Sequence, residues 1–169
     1  AAAAVGLLLG ETPELIAQGL VSYQASGMRQ NIYEQDGYHI YADCYNASPD
    51  AMEATLSVLG GMAGDGRRFA VLGSMLELGD YAEEGHRRAG RAAAQYADAL
   101  YAYGPDAAAM VAGAREKGME HAYAFDDQTA LVAALREDAK KGDALLFKGS
   151  RGMRMERALA MFLGEEVEA

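Results

Sequence analysis

From residue 31 onward short β-rich runs alternate with longer amphipathic ones, and this alternation limits the fold more than any other feature of the chain. The β-rich runs are 31–35, 38–44, 68–73, 99–103, 122–125 and 144–147. Helical patterns fall between them: after Ser48-Pro49, where Met52, Leu56 and Leu59 recur at i, i+4 and i+7, then at about 81–96, after Pro105, from Asp127 to about 140, and at 153–163. A strand followed by a helix and another strand builds crossover units, so the pattern predicts an α/β fold with a mostly parallel sheet covered on both faces. The first two runs differ, because only Asp36-Gly37 separates them. An Asp-Gly pair suits a type I′ turn, which predicts an antiparallel hairpin.

The first 27 residues read differently. Residues 1–9 are apolar and Ala-rich and end at Gly10; Thr12 then caps a short helix with Pro13 at its first position and Leu15, Ile16 and Leu20 on one face. The apolar run is about half a membrane span and lacks the basic start of a signal peptide, so a buried helix entered in mid-course is expected. Ser26-Gly27 is the expected domain boundary. The net charge of −10 argues against nucleic acid and anionic lipid as partners. A single cysteine, Cys44, excludes an intrachain disulfide.

In open parallel sheets ligands bind beyond the carboxyl ends of the strands, and four groups of residues, three of them near such ends, bear on function. Asp43-Cys44-Tyr45-Asn46-Ala47-Ser48-Pro49 brings a carboxylate, a phenol and a carboxamide to a helix N-terminus, where free N–H groups attract anions. The same segment also reads as a plain strand-to-helix turn, with Asn46 forming the turn and Ser48 capping the helix. Residues 148–157 (KGSRGMRMER) carry a local charge of +3, and Arg151, Arg154 and Arg157 would share a face if helical. An anionic ligand explains that cluster, as does a solvated face paired with nearby glutamates. Arg29 lies beside the expected boundary, where an arginine can reach a phosphate on a neighbouring domain or simply face solvent. Glu77 and His86 follow the third strand, as acid–base partners or as a structural pair. The chain contains neither G-x-x-x-x-G-K-[ST] nor G-x-G-x-x-G, and its three histidines and one cysteine lack zinc-ligand spacing.

Six stretches, in order, resemble the Mur ligase family: AAAAVGLLLG at 1–10, SGMRQNIYE at 26–34, DCYNASPDAMEATL at 43–56, VLGSMLELGDYAEEGHRRAG at 71–90, FDD at 125–127 and FKGSRGMRMERAL at 147–159. The resemblance is to the members that add D-Ala-D-Ala to UDP-MurNAc-tripeptide. It implies that residues 1–27 end a central ATPase domain and that 28–169 form a Rossmann-like C-terminal domain. It also implies an ATP- and Mg2+-dependent ligase, with both held mainly by the central domain, in a monomeric enzyme of the bacterial cytoplasm that does not enter the membrane. By position, Arg29 would reach the ATP phosphates and Asp43 the ribose region, both as catalytic and cofactor-binding residues. Tyr45, Asn46 and Ser48 would line the dipeptide site, and Lys148, Ser150 and Arg151 would bind the dipeptide carboxylate; no metal ligand is expected in this chain. Two positions depart from the family: Ser74 stands where Asp is common, and Ala42-Asp43 where two acids are common. Three alternatives remain: a sibling ligase adding one amino acid, a folylpolyglutamate synthetase relative, and a binding module without catalysis.

Overall fold

The computed structural model describes residues 1–22, 29–62 and 64–166. The expected boundary at Ser26-Gly27 lies outside the described residues. Helices α1 (Ala2–Leu8) and α2 (Pro13–Val21) come first, then β1 (Asn31–Gln35), β2 (Tyr38–Asp43), α3 (Pro49–Leu59), β3 (Arg68–Gly73) and α4 (Ala82–Tyr96). Strand β4 (Ala99–Tyr103), α5 (Ala107–Glu116), β5 (Ala122–Phe125), α6 (Gln128–Asp138), β6 (Ala144–Lys148) and α7 (Met155–Leu163) complete the chain. Among the described residues the strands form one sheet in the order β1-β2-β6-β3-β4-β5, antiparallel between β1 and β2 and parallel elsewhere. The sixth strand to appear in the sequence therefore sits near the middle of the sheet, between β2 and β3.

Local chemistry set several element ends as expected. Asp36 and Gly37 both have positive φ, 53° and 87°, as a type I′ turn requires. Thr12, Ser48 and Asp127 each accept a hydrogen bond from a backbone N–H three residues on, at Leu15, Ala51 and Ala130.

Alternation along each strand sends successive side chains to opposite faces. Ala70 and Leu72 of β3, Leu100 and Ala102 of β4 and Leu146 of β6 pack on α3, α4 and α5 through Met52, Leu56, Ala89, Ala93 and Met110. Phe69, Val71, Tyr101, Leu145 and Phe147 pack on α6 and α7 through Leu131, Leu135, Leu159 and Phe162. Both faces of the sheet are covered, as the alternation predicted. Helices α4 and α5 meet backbone to backbone: a Cβ on Gly90 would lie 1.9 Å from the Met110 carbonyl oxygen, and one on Gly113 2.0 Å from that of Arg87. No larger residue fits at either contact.

Helices α1 and α2 touch where Gly6 admits Ile16; a Cβ there would come within 2.8 Å of the Ile16 side chain. Neither helix has a buried residue, and Leu8 and Val21 are each 87% exposed. Among the described residues no helix is long and apolar enough to cross a membrane.

Candidate functional site

The carboxyl ends of β2 and β6 meet at one pair of residues, since Asp43 and Lys148 are partners in the parallel ladder. Lys148, 1% exposed, places its ammonium 2.5 Å from Asp43 Oδ2 and donates to the Asn46 carbonyl oxygen at 2.9 Å. Asp43 is 7% exposed, and its other oxygen accepts from the Gln30 N–H at 3.3 Å. A buried lysine is tolerable only when its charge is matched and its donors are used, and here a carboxylate and a carbonyl serve two of them. The pair ties three pieces of chain together: residue 30 ahead of β1, the 43–46 loop, and the end of β6.

The 43–49 segment is at once a structural turn and an open edge. Asn46 Oδ1 accepts from the Ala47 N–H at 2.9 Å, and Ser48 Oγ caps α3. Tyr45 and Asn46 nevertheless face solvent. The Arg29 guanidinium lies over the Tyr45 ring, 3.9 Å from its centroid. Stacking of this kind holds a guanidinium flat while its N–H edge stays available to an anion.

Across the sheet edge, Ser150 and Ser74 stitch the loops that follow β6, β3 and β4. Ser150 Oγ accepts from the Leu76 N–H at 2.9 Å, and its own N–H donates to the Ser74 carbonyl at 3.3 Å. Ser74, wholly buried, donates through its hydroxyl to the Tyr103 carbonyl at 3.4 Å and accepts from the Asp106 N–H at 3.0 Å. Beneath them His86, also wholly buried, accepts the Met75 N–H at Nε2 (2.8 Å) and donates from Nδ1 to the Ala82 carbonyl (2.6 Å). Both His86 nitrogens are thus hydrogen-bonded to backbone, with the Asp106 carboxylate 3.7 Å from Nε2, and the nearby Glu77 is exposed with φ +67°.

The three-arginine face expected from the sequence does not form. Residues Arg151–Met153 make a 3-10 turn, Arg154 takes a left-handed conformation (φ 48°, ψ 47°), and α7 starts at Met155 rather than 153. The break is held from outside the segment: the buried Gln128 donates through Nε2 to the carbonyls of Met153 (2.8 Å) and Arg154 (3.2 Å). Sequence reading missed Gln128, which follows the Asp127 cap and looked like an ordinary first helical residue. It also placed Lys148, Ser150 and Arg151 together as ligand binders. The structure does bring them to one edge, yet Lys148 and Ser150 are buried and engaged, and Arg151 alone of the three faces solvent. Arg151 Nη1 pairs with Glu156 Oε1 at 2.8 Å, so part of the local positive charge is matched within the loop.

Cys44 is enclosed beside these charges, and its thiol donates to the Phe147 carbonyl at 3.4 Å. Burial, and then the nearby Glu156 and Asp43 carboxylates, push its pKa up to about 12. A thiol so held is a packing group rather than a nucleophile. Among the described residues no three His, Cys, Asp or Glu side chains gather as a metal site.

A six-stranded, mostly parallel sheet with polar loops gathered at one edge defines an α/β domain, and its type is shown by comparison. The family model described as "Mur ligase, glutamate ligase domain" matches residues 28–151, and the chain belongs to that family. It is similar to the UDP-N-acetylmuramoyl-tripeptide–D-alanyl-D-alanine ligase of Bacillus subtilis, with 37% identity over 92% of this chain and 35% of that protein. The ligase of the same name from Escherichia coli is 34% identical over 94% of this chain and 34% of its own length. Among solved structures, MurF ligase from Thermotoga maritima in complex with ADP superposes with a TM-score of 0.80 at 33% identity, over 96% of this chain and 36% of that one. MurF from Acinetobacter baumannii gives 0.82 at 29%, over 96% and 35%. The chain thus spans about a third of the length of the relatives it matches.

Proposed function

We propose that this domain presents D-Ala-D-Ala to an activated UDP-MurNAc-tripeptide within an ATP-dependent ligase of peptidoglycan synthesis. The observation that carries the reading is the convergence of the 43–48 and 148–151 segments on one sheet edge through the enclosed Lys148–Asp43 pair. The names of the relatives point the same way. Residues 1–27 then belong with the nucleotide-binding domain, and the exposed apolar side chains of α1 and α2 pack there. Mg2+ would be held in that domain; among the described residues no three His, Cys, Asp or Glu side chains gather as a ligand set.

Phosphorylation by ATP turns the tripeptide carboxylate into an acyl phosphate, which the dipeptide amine attacks. An α-amino group loses its proton near pH 8 in model compounds, so the amine needs little help to become a nucleophile. Orientation and charge neutralisation carry the remaining load. Arg29, steadied on Tyr45, reaches the ATP phosphates when the domains close, and Asp43 sits beneath the ribose side of the site. Tyr45, Asn46 and the capped loop at Ser48 line the dipeptide. Arg151 meets its carboxylate, while Lys148 and Ser150 fix the two loops between which it lies. Closure also keeps water from the acyl phosphate.

The test is phosphate release by the full-length ligase, expected only with tripeptide and dipeptide together; release driven by a single amino acid overturns the reading. Replacing Asn46 by Ala should raise the dipeptide KM by about tenfold, a lost hydrogen-bonding contact, and leave the KM for ATP in place. A change confined to ATP would move Asn46 out of the dipeptide site.

A further inference from the structure

Glu156, the second residue of α7, is an acid with two unlike oxygens. Oε1 accepts from Arg151 Nη1 at 2.8 Å. Oε2 is shut away from solvent and has no hydrogen-bond partner among the described residues. A carboxylate oxygen left dry and unmatched costs more than a solvent-exposed ion pair returns, and the Arg151 side chain is 62% exposed. The Cys44 thiol enclosed nearby is uncharged and offers the oxygen no compensating positive charge. A helix start welcomes an acid, but a solvated one would serve equally well. The arrangement is therefore poor as a device for stability.

It is good as a device for aim. Arg151 stands on a short turn whose far end, left-handed Arg154, is clamped from beneath by Gln128. With the backbone fixed there, the Glu156 contact removes the main freedom left to the arginine, the swing of its long side chain. The contact occupies Nη1 and leaves the other terminal nitrogen for a ligand. We propose that Glu156 is a positioning residue that holds Arg151 across the mouth of the site, ready for the carboxylate of an incoming dipeptide. The inference rests on the proposed dipeptide site and adds the residue that sets its geometry.

The experiment measures KM for D-Ala-D-Ala and for ATP, kcat and the melting temperature in the full-length ligase. The variants are Glu156→Leu, Glu156→Gln, Arg151→Ala and the double change Arg151→Ala with Glu156→Leu. Glu156→Leu should raise the dipeptide KM about tenfold, with kcat and the ATP KM within about twofold, and should not lower the melting temperature. Glu156→Gln keeps an acceptor oxygen for Arg151 and should recover most of the loss. Because Glu156 acts through Arg151, the leucine should add nothing once Arg151 is gone. An unchanged dipeptide KM in Glu156→Leu, an added rise in the double variant, or a fall in melting temperature or failure to fold overturns the proposal. Arg151→Ala with an unchanged dipeptide KM removes the dipeptide site itself. A raised KM in Arg151→Ala beside an unchanged one in Glu156→Leu removes only the role of Glu156.

Discussion

The two ends of the sheet are both held by ion pairs, but in opposite ways. At the amino ends of β3 and β4, Arg68 grips Asp98 through Nε and Nη2, each at 2.9 Å, and Arg67 meets Asp138 at 2.7 Å. These side chains are about a third exposed, and Asp143 joins them by accepting the N–H groups of Arg67 and Lys140. Water shares the work there. At the carboxyl end one lysine, closed off from water, holds two strands and a loop. The first arrangement fastens strands and tolerates change; the second fixes positions and does not. Loops that carry a site need fixed geometry, and a dry ion pair supplies it because no solvent can replace either partner.

The largest expected effect comes from breaking the dry pair. Lys148→Met leaves the Asp43 carboxylate enclosed without a counter-charge and should cost about 3–5 kcal/mol in unfolding free energy. Ser74→Ala, which leaves the Asp106 N–H without its acceptor, should cost about 1–3 kcal/mol and loosen the loops after β3, β4 and β6. Arg68→Ala, at the wet end, should cost about 0–1 kcal/mol. Denaturant titrations of the three variants measure all of this, and equal losses at Lys148 and Arg68 would erase the contrast. The smallest effect is one of pH. Hydrogen bonds from Arg68 hold the Asp98 carboxyl below its ordinary value, and burial, which pushes Asp138 up, is outweighed by bonds from Arg67 and Tyr101. A folded-state pKa below the unfolded one gives stability that is present above the unfolded value, about 4 for an aspartate, and is lost as pH falls through the folded one. Melting temperature should therefore drop in acid more steeply for the parent than for Arg68→Ala. Parallel curves would show that this end does not set the acid limb.

The contrast also explains what the sequence revealed. Asp36-Gly37, Thr12-Pro13, Ser48-Pro49 and Asp127 act on backbone within a few residues, so each can be read where it stands. Strand positions followed from local pattern to within a residue or two; β6 runs one residue past the apolar stretch to include Lys148, because that lysine is paired with Asp43. What could not be read is whatever spans the fold. Lys148 and Asp43 are 105 residues apart, and nothing near Lys148 says that β6 slots between β2 and β3. In the sequence it looked like one more cation in a basic run. The start of α7 was misplaced for a similar reason: the left-handed Arg154 is held by Gln128, from another helix. The segments that meet at this edge were legible, but which of their side chains face solvent was not.

Lys148 carries a further consequence for chemistry on the protein's amines. Lys117, Lys140 and Lys141 are exposed, whereas the fourth lysine is sealed beneath the loop it secures. Acylating reagents should decorate those three at once and reach Lys148 only when β2 and β6 part at their ends. The lag before its modification is thus a clock for the opening of this edge, kept by the same atom that holds the edge shut.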